Sequence, residues 1–385
     1  MISYRDGDSR VEILVGERRI TAFQPTLDAL RARMGYRDDM TTSPQRLLLW
    51  AAISAELPVV VTLQRSGEFY GIVLMTIRRW RGIPIGFAHA GNLAGQGGVV
   101  AAPADRRAAL EMAARTLLRT YLVHTVLVSV LQTHPALPDI RSAAIGIHGQ
   151  WHFREIRIRL SLAGGLPAVF NALSYKMRRN VRYYRKRADE ELGLQLVSDM
   201  TTCQRRSAVM ALHGGGPYPV DTKKAEKIDV ALQKIPGCFA MGLQDRAGNW
   251  ISYITGWRAA GATYVDWQLN SGGHANASIS TVMRAYLLEH EVDIGSDAII
   301  FVGLTNPFWA RACEVQTCAD LAATRGGLLG AMTRRLAVRV SPNGRVAALL
   351  GSQENPLAKT GFEDPKDDRE GSLVSVSDPR QSAEL

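Results

Sequence analysis

The chain has 385 residues, 46% hydrophobic and 21% charged, with a formal net charge of +10 at pH 7. That length exceeds one compact core and suits two domains, and the composition is that of a folded chain, not a disordered one. Neither a signal peptide nor a membrane span is expected: the start MISYRDGDSR is polar, and apolar runs such as LLLWAAI (47–53) fall far short of roughly 20 residues.

A cytoplasmic location is therefore expected. The positive charge favours anionic partners without selecting among phosphate-bearing cofactors, nucleic acid and anionic lipid. Cys203, Cys238, Cys313 and Cys318 form no CxxC pair and have no histidines at zinc spacing, so reduced thiols and no metal are expected.

Helical segments are expected near 26–34 and 43–55. The runs 58–65, 68–80 and 83–90 follow, rich in β-branched and aromatic residues and separated by Ser66-Gly67 and Arg81-Gly82, as antiparallel hairpins require. A glycine-rich loop (91–98), a helix at 104–121 and an apolar strand at 124–131 complete this block. The same order recurs as strands 238–245, 249–257 and 262–270, a loop SGGHANAS (271–278), a helix at 279–292 and a strand at 298–303. Gly67, Gly82 and Gly91 find counterparts in Gly248, Gly261 and Gly272, 179 to 181 positions later, which points to a duplicated unit. A strand–helix–strand crossover favours parallel pairing of its two strands. The fold class is α/β: a mixed, mainly antiparallel sheet flanked by helices, twice over.

Between the repeats, residues 170–193 place Leu173, Met177, Val181, Tyr184, Ala188 and Leu192 at helical spacing, and seven of the twelve residues 176–187 are Lys or Arg. Gly193 is the expected stop. His213-Gly-Gly-Gly-Pro-Tyr-Pro reads as a loop, either a lid or a plain connector. From 354 to 385 eight acidic residues face four basic ones, the composition of a disordered acidic tail.

The strand 262–270 carries the chemistry. Strict alternation sets Tyr264, Asp266, Gln268 and Asn270 on one face and Val265, Trp267 and Leu269 on the other. The polar face runs into SGGHANAS, whose Gly272 and Gly273 admit close approach and whose Ser278 is a natural N-cap, a setting suited to a pyrophosphate. No Walker loop, G-x-G-x-x-G, G-x-S-x-G or H-E-x-x-H occurs. Asp266 is the first candidate base and His274 the second. Trp257, Tyr264, Gln268 and Asn306 are candidate substrate contacts.

SYKMRRNVRYYRKRADEELGLQL (174–196), DRAGNWISYITGW (245–257), YVDWQLNSGGHANASISTVMRAYLLEHEVD (264–293) and IIFVGLTNPFWARACEV (299–315) resemble the GNAT-superfamily acetyltransferases of bacterial polysaccharide-biosynthesis loci, the cellulose-biosynthesis type. They are also similar to the Fem aminoacyltransferases, which share a tandem-GNAT plan. The resemblance implies a degenerate N-terminal GNAT-like domain (1–148), a C-terminal acyltransferase domain (149–350) with its basic helix at 171–192, and the tail (351–385). It implies acyl-CoA (acetyl-CoA) as donor, held by Asn270, Ser271, Gly272, Gly273, Asn276 and Ser278, and an amine or hydroxyl on a small-molecule or sugar acceptor. SGGHANAS stands where GNAT loops read Arg/Gln-x-x-Gly-x-Gly/Ala, and members that use aminoacyl-tRNA also lack that loop, so a Fem-like tRNA-dependent reaction is the alternative. A non-enzymatic nucleic-acid-binding protein is the third reading, without a helix-turn-helix, finger or RNP-type motif to support it.

Overall fold

A computed structural model describes residues 2–6, 8–37, 39–90, 98–120, 123–132, 147–214, 221–302 and 307–326. In chain order the first half contributes β1 (Ile2–Asp6), β2 (Ser9–Val15), α1 (Glu17–Arg33), α2 (Pro44–Ser54), β3 (Leu57–Arg65), β4 (Glu68–Trp80), β5 (Ile83–His89), β6 (Gly98–Ala101), α3 (Arg106–Arg119) and β7 (Thr125–Gln132). Then come β8 (Ile147–Ser161), α4 (Gly165–Ala172), α5 (Tyr175–Leu192), β9 (Gln195–Val197), α6 (Thr202–Leu212) and α7 (Thr222–Gln233). The chain continues with β10 (Cys238–Gln244), β11 (Trp250–Ala259), β12 (Ala262–Asn270), α8 (Ile279–Asp293), β13 (Ala298–Phe301), α9 (Pro307–Ala310) and β14 (Glu314–Arg325).

The repeat is real in three dimensions. Strands β3–β4–β5 and β10–β11–β12 are antiparallel meanders, and each crosses over through one helix to a parallel partner, β7 beside β5 and β13 beside β12. The two units share one continuous sheet, in the order β1-β2-β3-β4-β5-β7-β14-β8-β13-β12-β11-β10-β9. The expected boundary at 148/149 falls inside β8, whose Trp151 packs in the first core and Leu160 in the second. Strand β14 comes from the far end of the described chain yet lies between β7 and β8, and its Ala319, Leu321 and Ala323 complete the first core.

Helices cover both faces. In the second half α5 and α8 cover one face through Met177, Val181, Val282 and Leu287, while α6 and α7 cover the other. Two expected helices differ. The first begins at Glu17, and Pro25 sits inside it at the loss of one backbone bond. The basic segment is two helices, because Leu173 and Ser174 are extended and the Ser174 hydroxyl accepts the Met177 N–H at 3.2 Å, starting α5 afresh. No helix among the described residues is long and apolar enough to cross a membrane.

Candidate functional site

Strand β12 holds an irregularity that sequence alternation cannot show. Thr255 pairs with Trp267 and the next residue, Gly256, pairs with Val265, so Asp266 is an extra residue, a β-bulge. The position opposite must be glycine: a Cβ on Gly256 would fall on the Tyr264 carbonyl oxygen. One inserted residue exchanges the faces beyond it. Thr263 and Val265 face α8, and after the bulge Gln268 and Asn270 do. Tyr264 joins Trp267 in the cluster toward α7, and Leu269 packs beside Trp267 against the α6 side. The expected common face of Tyr264, Asp266, Gln268 and Asn270 is thereby divided in two.

Asp266 turns toward α2 of the first half. Arg46 Nη2 donates to Asp266 Oδ1 at 3.2 Å, with side-chain exposures of 0% and 4%. The Arg46 guanidinium also lies 4.5 Å over the Trp257 ring, which stacks on Tyr264 at 5.1 Å. Burial pushes the Asp266 carboxyl above its usual range although Arg46 opposes the shift, and burial lowers Arg46 likewise. Asp266 Oδ2 has no hydrogen-bond partner among the described residues. Trp257 is fully buried, so it packs as core under Arg46 instead of lining an open pocket.

The α8 face carries a second polar group. Ser252 Oγ and Gln268 Nε2 both donate to Asn270 Oδ1, at 2.8 and 3.0 Å, and Arg284 Nε donates to Gln268 Oε1 at 3.2 Å. Asn270 is therefore occupied by its neighbours. Glu291, fully buried on the same helix, accepts from Arg258 Nη2 and Ser296 Oγ, both at 2.7 Å, and from Thr263. Burial alone would raise its carboxyl, but these donors hold it below the usual range. This clamp fixes α8 against β12; the apolar pattern of α8 gave no sign of it.

The parallel pairing of β12 with β13 covers only Ala262–Val265 against Ala298–Phe301, ending at the Val302 N–H to Val265 carbonyl bond. Beyond it β12 runs on through Gln268 to Asn270, paired with β11. The loop after β12 is a kinked 3-10 segment, Gly272–Ala277. Gly272 and Gly273 are exposed, and a Cβ on Gly273 would meet only Ser271 Oγ at 3.8 Å. Ser278 stands at the N-cap position of α8 but in a left-handed conformation and without a side-chain cap, contrary to expectation, which leaves that helix end uncapped. His274 meets Ser271 Oγ at 3.3 Å and acts on Asp245 of the β10–β11 turn, and no hydrogen bond joins it to Asp266. Asn306, residues 91–97 and 215–219, the tail and the side chain of Asn276 lie outside the described residues.

The first half has a matching feature. Parallel pairing of β5 with β7 covers Phe87–His89, and His89 Nε2 lies 3.0 Å from Glu56 Oε1, whose other oxygen accepts from Thr76 at 2.6 Å. Glu56, invisible as a partner in the sequence, is held below the usual carboxylate range because His89, Thr76 and Arg78 outweigh its burial.

The basic helix α5 divides its cations. Arg178 donates to the carbonyls of Phe170, Asn171 and Leu173 at the end of α4, and Arg185 binds Glu289 and lies 4.1 Å over Tyr286. Lys186 and Arg187 pair with Glu190 and Glu191 one turn on. Lys176, Arg179 and Arg182 form no ion pair among the described residues; Arg179 and Arg182 line a groove of about 300 Å3 with exposed Tyr175 and Tyr183. Among the described residues no group of three or more His, Cys, Asp or Glu is placed to hold a metal ion.

No protein-family model matches the sequence, and neither does any curated protein. Solved structures match in shape. FemX superposes with a TM-score of 0.51 at 12% identity, over 78% of this chain and 95% of its own. The fold is a tandem GNAT fold. A tandem GNAT protein from the clavulanic acid biosynthesis pathway gives 0.48 at 13% identity over 83% and 99% of the two chains. L-PGS from Bacillus licheniformis gives 0.47 at 12% over 82% and 96%. At such identities the likeness is one of fold.

Proposed function

We propose that the chain is a GNAT-type acyltransferase that moves an acyl group, acetyl in the simplest case, from acyl-CoA to an amine or hydroxyl of a small-molecule or sugar acceptor in the cytoplasm. Within the superfamily, the sequence resemblance favours the polysaccharide-biosynthesis group. The observation that carries the reading is the end of the β12–β13 pairing at Val265 and Phe301, beside an exposed glycine loop and an uncapped helix end. Ser271, Gly272, Gly273 and the first turn of α8 fit the donor's pyrophosphate, since the backbone N–H groups of an uncapped helix end attract phosphate. Gln268 and Tyr264 stand on opposite faces of β12.

The acceptor nitrogen or oxygen attacks the acyl carbonyl carbon, a C–N or C–O bond forms, the C–S bond breaks, and the sulfur leaves as a thiol after receiving the proton that the base has taken from the acceptor. Asp266 Oδ2, which has no partner among the described residues, takes the acceptor's proton. Main-chain groups released from the ladder at the bulge face the developing oxyanion. Calorimetric titration with coenzyme A, and thiol release from acetyl-CoA with a panel of amines and amino sugars, test the reading. Saturable coenzyme A binding is expected, with turnover lowered about 100-fold or more in Asp266→Asn; no binding of coenzyme A would overturn it. A Fem-like, aminoacyl-tRNA-dependent reaction is the second reading, favoured by Arg179 and Arg182 in a groove with two exposed tyrosines and by Lys176 on the same helix. Saturable tRNA binding without coenzyme A binding would replace the first reading by the second.

A further inference from the structure

The buried arginines Arg31, Arg46 and Arg205 have carboxylate partners in Asp28, Asp266 and Asp229. Arg284 differs. It forms no ion pair among the described residues, its Nη1 is buried there without a hydrogen-bond partner, and its Nε is engaged by the neutral Gln268 amide. Its guanidinium lies 5.2 Å from the Phe301 ring, so it bridges from β12 to β13 where their pairing ends. The residue as a whole stays partly exposed.

We infer that Arg284 anchors an acidic group, a carboxylate or a phosphate, on the ligand that enters between β12 and β13. An unpaired cation in a poorly solvated place is costly, and an oxyanion that accepts two parallel N–H bonds removes that cost. The cost shows in the guanidinium's pKa, which burial lowers to about 10. Arg284 is bonded to Gln268, whose Nε2 also meets the Ser280 carbonyl at 3.4 Å, so its guanidinium leans back toward the first turn of α8. This inference rests on the reading of this end of β12 as the substrate site, and it adds that the ligand carries an acidic group there; the coenzyme A titration below decides whether that group belongs to the donor or to the acceptor and acyl group.

The test measures melting temperature for the full chain, Arg284→Gln and Arg284→Lys, in inorganic phosphate and in chloride at equal ionic strength. At about ten times the phosphate dissociation constant, the full chain is expected to melt roughly 2–5 °C higher in phosphate. Arg284→Gln is expected to lose that increment while matching or exceeding the parent in chloride, and Arg284→Lys to keep part of it. A purely structural arginine would do the reverse, with a lower melting point in both salts and an unchanged increment, which would overturn the inference. Coenzyme A titration of the same variants separates the sources. Affinity within about threefold of the parent places the acidic group on the acceptor or acyl group, whereas joint loss of the phosphate increment and coenzyme A binding places it on the donor. If the parent binds no coenzyme A yet keeps an Arg284-dependent phosphate increment, the donor reading fails and the anion site stands.

Discussion

Arg46 and Asp266 lie 220 residues apart and meet in a place with almost no solvent. Removing one partner strands the other charge, so Arg46→Met is expected to cost about 3–5 kcal/mol in urea unfolding at pH 7. Adding Asp266→Leu to Arg46→Met is expected to recover most of that loss, because a well-packed apolar pair has no charge to desolvate. The pH dependence has a definite sign. Burial raises the folded-state pKa of Asp266 above 3.8, so the folded state holds its proton more tightly. Its contribution to stability is full below about pH 4 and is lost as pH rises through the folded value. The stability of the parent relative to Asp266→Asn is therefore expected to fall as pH rises above about 4. If Asp266 is the base, the acid limb of kcat/KM has its midpoint above the ordinary carboxylate value, and a midpoint below 4 would remove it from that role.

At the scale of elements, the bulge in β12 and the cations of α5 each change what a pattern means. Gly256→Ala is expected to cost about 1–3 kcal/mol or more, since a methyl group and the Tyr264 carbonyl cannot share the space; an unaltered urea midpoint would show that β12 relaxes freely. In α5 two kinds of arginine stand side by side. Arg178 ties the end of α4 and Arg185 ties α8, so each, changed to alanine, is expected to lower stability by about 1 kcal/mol. The triple change Lys176→Glu, Arg179→Glu, Arg182→Glu is expected to leave the melting temperature within about 3 °C, because exposed positions contribute little. Under the tRNA reading it would flatten the log–log salt dependence of binding by about 2–3, at 0.7–0.9 for each phosphate left without its cation. A slope unchanged by the triple variant would exclude this face as the tRNA contact.

For the whole molecule, the placement of β14 makes the two halves interdependent. A chain ended at residue 312 lacks the strand between β7 and β8 and the Ala319, Leu321 and Ala323 side chains of the first core. It is expected to lose an amount comparable to a domain's whole stability, roughly 5–15 kcal/mol, and to show no cooperative melt by circular dichroism. A fragment ended at 148 cuts β8 and is expected to fail in the same way. A cooperative melt for either fragment would show that each half folds alone. The arrangement also gives the candidate site a reason to have two halves: α2 of the first supplies Arg46 beneath Asp266 of the second.

Local pattern was enough for much of this protein. Turn glycines, β-branched runs and the 3.6-residue period of 279–292 made the duplicated order of strands and helices legible, as well as the apolar side of α5, because each depends on neighbours a few residues away. Strand β14 was not legible, and neither were Glu56 beside His89, Glu291 beneath β12 and the role of Arg46. Each owes its place to a partner far along the chain, and spacing carries no trace of such a partner. The misplaced faces of β12 have another cause. A period of two survives only while every residue is paired, and one unpaired Asp266 reverses all that follow. That reversal sets Gln268 beside Arg284 and leaves Asp266 with Arg46, so the surroundings of these side chains were decided by the tertiary fold, where sheet and helices compete for the same side chains.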